Sequence, residues 1–229
     1  NALMIDFSLC QEEFNFLKKE GGILILDTQN NFDMAKINND DYYDGIFFKV
    51  DAYKEFIKDC AFKDYRVVLV ETGIDQILLY KYRHKIEDFL DRGGIFISFA
   101  ANFLEWLPGN MLYKESKYPI KDRVIQTNGH EITRGVKDYD ITYRRGVCGF
   151  FTRGYFEPPK KSEIVLKDNF NQCVAYIDYD TTSGVIVSTA GADLFNYGLF
   201  EQSTAKRIGF NFLLWLSKII KNGKPKGIK

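Results

Sequence analysis

Residues 66–99 read RVVLVETGIDQILLYKYRHKIEDFLDRGGIFISF, and this stretch decides the fold. It opens on Val67-Val68-Leu69-Val70, four apolar residues with no polar interruption. A strand wetted on one face alternates polar and apolar residues, whereas a strand buried on both faces does not. Asp75 then offers a side-chain oxygen to cap a helix. Ile77, Leu78, Tyr82, Ile86, Phe89 and Leu90 recur at helical spacing over residues 75–91. Gly93-Gly94 ends that helix, because glycine takes the left-handed conformation without steric cost. Ile95-Phe96-Ile97-Ser98-Phe99 follows as a second buried strand. Strand, helix, Gly-Gly, strand predicts a right-handed βαβ crossover in a parallel sheet.

The same reading extends outward. Ser8 and Gln11 form a capping-box pattern, Phe14 and Leu17 give a short apolar face, and Gly21-Gly22 stops the helix before the buried run 23–26. Residues 28–45 are polar and predict a loop with one helical turn. Residues 45–50 predict a strand. Asp51 then caps a helix carrying Tyr53, Phe56, Ile57 and Cys60. Beyond residue 102 the pattern loosens to short β-like pieces at 123–126 and 163–166. Residues 173–179 and 184–189, joined by a polar turn, predict an antiparallel hairpin. Ser203 opens a last helix with Ile208, Phe212, Trp215, Leu216 and Ile219 on one stripe. With no repeat and no linker, residues 1–229 are expected to form a single domain. A start at Asn1-Ala2-Leu3 without Met is expected either of a cloning remnant or of a domain cut from a longer chain.

Composition excludes several classes. Lys+Arg and Asp+Glu both number 31 in 229 residues, so the chain lacks the basic surplus of a nucleic-acid binder. The lysines of residues 218–229 are expected to be a frayed, solvated tail. No apolar stretch approaches the ~20 residues of a membrane span, and no signal peptide is visible. Cys10, Cys60, Cys148 and Cys173 are widely spaced with no CxxC, so buried, reduced thiols and a cytoplasmic location are expected.

Three segments resemble the class I glutamine amidotransferase-like superfamily. Residues 66–99, with Asp91-Arg92-Gly93-Gly94 before the last strand, are similar to its third strand, helix and fourth strand. Gly129-His130-Glu131-Ile132-Thr133-Arg134-Gly135-Val136 is similar to the H-P-I-T-x-G segment of divergent members. Residues 184–195, GVIVSTAGADLF, are similar to their G-x-V-x-x-x-G-D-x-D-x strand and turn. The likeness spans about residues 21–221 and is nearest in pattern to trehalose-utilisation-like and transporter-associated domains. It implies an α/β fold, a flavodoxin-like three-layer sandwich. The central sheet would be mostly parallel, with a C-terminal β-hairpin and a closing helix. Active members of the superfamily carry a cysteine nucleophile after the strand matching 95–99 and a histidine after the late strand. Here those places read Ala100-Ala101-Asn102-Phe103 and Ala190-Gly191-Ala192-Asp193. The resemblance therefore implies the fold without glutaminase activity.

Open α/β sheets bind ligands at the carboxyl ends of their strands. Asp27, Glu71 and Asp193 end strands that should run parallel. With Ala101, Asn102, His130 and Arg134 they make up the expected site for a small polar ligand or a protein partner. The same carboxylates would also suit loop capping. A rival reading is a hydrolase or transferase with Cys148 as nucleophile, activated by Arg144 and Arg145, and His130 as base. Ser98 lacks the G-x-S-x-G elbow, and His84 falls on a polar helix face. The aromatic run 150–156 either fills a side core or offers interface anchors. No H-E-x-x-H, Walker A or G-x-G-x-x-G pattern occurs, so neither a metal nor another cofactor is implied. A homo-oligomer is left open, with no nucleic-acid or membrane partner expected.

Overall fold

The structure, a computed structural model, describes residues 10–30, 40–43, 45–109 and 111–226. The first half of the chain runs α1 (Gln11–Lys19), β1 (Ile23–Asp27), the single turn α2 (Asp40–Tyr43), β2 (Phe47–Asp51), α3 (Ala52–Glu55), β3 (Val67–Val70), α4 (Gln76–Lys81), α5 (Arg83–Asp91) and β4 (Ile95–Ser98). The second half runs β5 (Lys114–Glu115), β6 (Ile125–Thr127), α6 (Asp138–Thr142), β7 (Tyr143–Arg144), β8 (Val147–Cys148), β9 (Gly154–Tyr155), β10 (Glu163–Asp168), β11 (Cys173–Asp178), β12 (Val185–Thr189) and α7 (Arg207–Asn222).

Eight strands form one sheet in the order β2-β1-β3-β4-β12-β11-β10-β6. The first five are mutually parallel, and each of the last three is antiparallel to its neighbour. This is the predicted α/β sandwich, with the hairpin β11–β12 and the closing helix α7 in their predicted places. Ile23, Ile25, Val67, Leu69, Ile95 and Ile97 point into the layer of α1 and α7. Leu24, Leu26, Val68, Val70 and Phe96 point into the layer of α3, α4 and α5. Each strand residue therefore meets an apolar layer whichever way it points, which explains the unbroken apolar runs. Burying both faces of such strands is the dominant favourable contribution, at roughly 25 cal/mol per Å² of apolar surface. Gly93 (φ 89) makes the predicted turn into β4, and a Cβ on Gly94 would collide with the Phe89 ring.

The β-like pieces at 123–126 and 163–166 prove to be sheet strands, β6 and β10. The open edge of β6 is covered by side chains of α6. Ile125 N donates to Thr142 Oγ1 at 3.0 Å and Thr127 N to Asp138 Oδ1 at 2.9 Å. Such covering removes the unpaired backbone groups that invite edge-to-edge pairing.

Three local expectations are corrected. The helix predicted over 75–91 breaks at Tyr82 (φ −109) into α4 and α5. The Tyr82 ring stacks on Phe56 at 5.5 Å, and Arg83 donates to the Tyr80 carbonyl at 2.7 Å. The helix after Asp51 is capped as expected, with Tyr53 N bound at 2.9 Å, but it ends at Glu55. The Glu55 carboxylate turns inward to accept Phe62 N at 3.0 Å, and Phe62 adopts φ 64, so Cys60 lies exposed in a turn. Three of the C-terminal lysines, Lys218, Lys221 and Lys224, are held rather than frayed, and Lys229 lies outside the described residues. Lys218 pairs with Glu131 at 3.2 Å, Lys221 lies 4.5 Å from the Phe16 ring centre, and Lys224 donates to the Tyr179 and Thr182 carbonyls. Ser8 and most of the predicted 28–45 loop fall outside the described residues. Among the described residues, no helix is long and apolar enough to cross a membrane.

Candidate functional site

The carboxyl ends of the parallel strands gather the expected acids. Ile25 pairs with Lys49, and Asp27 with Asp51. Because Ile23 and Ile25 face the α1/α7 layer, Asp27 and Lys49 lie toward that same face. Glu71 follows β3 directly, and Asp193 follows β12 by four residues. Burial pushes the Glu71 carboxyl above its ordinary range; Lys49 pulls it back, while Asp193 and Asp27 raise it further. Burial likewise raises Asp193, against three donors that stabilise its charge. These are Asn196 Nδ2 at 2.6 Å, Phe195 N at 2.9 Å and Asn196 N at 3.2 Å. Asp27 accepts Gln29 N at 2.8 Å, holding Gln29 at φ 62. Asp27 and Asp193 thus cap loops while contributing charge to a shared region. Among the described residues no set of His, Cys, Asp and Glu side chains is grouped closely enough to hold a metal ion.

Beside Glu71 and Asp193 lies a cavity of about 220 Å³. Thr72, Asp193, Asn196 and Tyr197 line one part of it, and Arg144, Phe150, Phe200 and Glu201 another. Arg144 forms an ion pair with Glu201 and lies 5.7 Å from the Phe150 ring centre. Tyr197 donates its hydroxyl to the Ile141 carbonyl at 2.7 Å, and burial pushes that phenol up to about 12.

The turn after β4 is built as a clamp. Ser98 is fully buried and its Oγ accepts Ala100 N at 3.2 Å, so it presents no nucleophile to solvent. Gln76, which sequence reading did not single out, holds the next residues. Its Nε2 donates to the Ala101 carbonyl at 3.2 Å, and its Oε1 accepts Phe103 N at 2.9 Å and the Trp106 indole N–H at 3.1 Å. Its position at the start of α4 was the only available signal. Asn102 is 1% exposed, and its carbonyl accepts Tyr113 N at 2.8 Å. A Cβ on Gly191 would lie 3.6 Å from the Ala101 Cβ, so the loops after β4 and β12 meet.

His130 and Arg134 do not join this site. The strand β6 runs opposite to the parallel strands, so the chain that leaves it at Thr127 heads back toward their amino ends. His130 follows it, with Nδ1 accepting Ile132 N at 3.1 Å, Nε2 3.5 Å from Glu163, and its ring edge-on to Trp215. Burial lowers its pKa, against the raising effect of Glu163 and Glu131. Arg134 is exposed, and its carbonyl accepts Asn211 Nδ2 at 3.0 Å. Cys148 lies half-buried in β8, paired with Tyr143, and Arg144 is committed to Glu201. The Cys148–His130 pair is therefore not assembled: the hairpin β7–β8 carries the thiol near Glu201, while the imidazole sits against α7 at the other end of the sheet. The aromatic run is divided. Phe151 and Phe156 are buried, against Tyr197 and Tyr176, and Phe150 is 56% exposed.

No family model and no curated protein matches the chain. Solved structures do. A protein from Thermoplasma acidophilum, described as a GMP synthase component, aligns at TM-score 0.54 and 10% identity, over 87% of this chain and 96% of that one. Two cytoplasmic proteins from Salmonella typhimurium align at 12% identity. One has TM-score 0.52 over 85% of this chain and 98% of its own; the other has 0.51 over 74% and 80%. At such identities the likeness establishes the fold, and that fold fits the amidotransferase-like resemblance read from the sequence.

Proposed function

We propose that the chain is a non-catalytic amidotransferase-like domain that binds a small polar ligand at the carboxyl ends of its parallel strands. The observation that carries this reading is the cavity of about 220 Å³ lined by Asp193 and by Thr72, next to Glu71, whose carboxyl is raised by burial and then by Asp193 and Asp27. Carboxylates accept hydrogen bonds, so the ligand presents donors: hydroxyl or amino groups. The stretches at the nucleophile and histidine places, residues 98–103 and 190–193, contain no cysteine and no histidine for acyl transfer. Four free cysteines suit a reducing compartment, and we place the protein in the cytoplasm, as a single domain.

A protein partner is the second reading, favoured by Phe150 (56% exposed) and Phe200 (49%) in the lining of the same cavity and by Val147 (54%), paired with Arg144 of that lining. Nitrogen-15 NMR titration with a hexose and with a small diamine tests the first. Shifts at Thr72 and at residues 193–201 support it. Saturating titrations that leave those amides unmoved overturn it in favour of the partner reading.

A further inference from the structure

A second and larger cavity, of about 490 Å³, lies between residues 155–158 and β10. Its apolar walls are Tyr155, Phe156, Pro158 and Ile164. Lys167 also lines it, half-buried, and forms no ion pair among the described residues. The acid in the lining, Glu157, is engaged by Lys114 at 3.0 Å. Gln172 accepts the Ser116 hydroxyl on its Oε1 at 2.7 Å, which leaves its amide N–H groups available as donors. The wall is preorganised: Asp168 accepts both Phe170 N (2.9 Å) and Gln172 N (2.8 Å), fixing the turn that carries Gln172. Phe156 is 1% exposed, and its N–H donates to the Cys173 carbonyl at 2.8 Å, fixing the opposite wall.

We propose that this cavity binds a small organic anion, a carboxylate carrying an aromatic body. A partly desolvated ammonium without a carboxylate partner attracts an anion more strongly than it would in bulk water. Ring and proline walls supply the apolar contact area that orients such a ligand. Cys173 takes no covalent part. Burial pushes its thiol up to about 12, and its Sγ lies 3.5 Å from the Ala175 carbonyl. This site shares no residue with the strand-end cavity, so the two readings stand or fall separately.

The test is nitrogen-15 NMR titration with 3-phenylpropionate, 3-phenylpropylamine and propionate. The first two carry the same ring and chain with opposite charge; propionate keeps the charge and drops the ring. The expected result is that 3-phenylpropionate shifts the amides of residues 155–157 and 171–173, the amine does not, and propionate binds more weakly. Lys167→Met weakens 3-phenylpropionate by at least about tenfold, Lys167→Arg retains it, and both keep the wild-type melting temperature. Absence of shifts up to about 10 mM ligand, equal binding of the amine, wild-type affinity in Lys167→Met, or shifts confined to residues 193–201 would each overturn the proposal.

Discussion

The parallel half of the sheet and its antiparallel extension are stabilised differently. In β1, β3 and β4 almost every inward position is apolar, and polar side chains collect at the strand ends. The extension instead buries an ion pair. Arg123 Nε meets Asp168 Oδ2 at 2.8 Å with side chains 4% and 0% exposed, and Arg123 also donates to the Gly154 carbonyl at 2.9 Å. The first half is held by burial that any apolar residue of similar size would supply. The second is held by groups that satisfy one another and cannot be changed singly. The one pairing of guanidinium, carboxylate and carbonyl ties β6's approach, the β10–β11 turn and β9 together.

That contrast is open to breaking by double substitution. Arg123→Met alone is expected to cost about 3–5 kcal/mol, since it leaves Asp168 charged and buried. Adding Asp168→Leu recovers part of the loss. Recovery is incomplete because Phe170 N and Gln172 N lose their acceptor. In the parallel half, Leu24→Ala at a fully buried site should cost about 2–5 kcal/mol, and a second substitution more than about 7–10 Å away should simply add. Urea unfolding measures both. If Arg123→Met is as mild as a surface change, the ion pair is not what holds the extension.

A smaller effect is expected where the two halves meet. Gln76→Ala removes three hydrogen bonds to the loop after β4, at a cost of about 1–3 kcal/mol. Hydrogen exchange at Phe103 N and at the Trp106 indole should accelerate well before the sheet amides do. Unchanged exchange at both positions would mean that the loop is held by the packing of Trp106 on Phe96 instead.

This division also decided what was legible in the sequence. Val67–Val70 and Ile95–Ser98 announced buried strands because both of their faces meet helices. The crossover, the hairpin and the strand-end positions of Asp27, Glu71 and Asp193 followed from them. The place of His130 did not, because it depends on the direction of the three-residue strand β6, and no local pattern encodes strand direction. Gln76 was invisible for a related reason: a glutamine after a helix cap looks solvated until the loop it clamps, some 25 residues later, folds over it. The break at Tyr82 was equally silent, since it answers to Phe56 across the layer and not to a proline or glycine.

The gentlest probe of the comparison is pH, because the two ends of the sheet should answer it with opposite signs. Glu71 and Asp193 have raised pKa values in the folded chain, chiefly through burial. A carboxyl raised on folding contributes stability that is complete below its unfolded value, about 4, and is lost as pH climbs through the folded one. Glu71→Gln should therefore gain on the wild type in melting temperature between weakly acidic and neutral pH, and converge with it in acid. His130 is the reverse case. Burial lowers its pKa, so its contribution is complete above the ordinary histidine value of about 6.5 and is lost as pH falls through the folded value. Protonating Nδ1 would also cancel its acceptance of Ile132 N. His130→Gln should flatten the acid limb of the stability curve and leave the neutral limb as it was, whereas Glu71→Gln should do the opposite. Identical pH profiles for the two variants would mean that burial at one end is not setting the ionisation, and would remove the electrostatic argument for a ligand rich in donors beside Glu71.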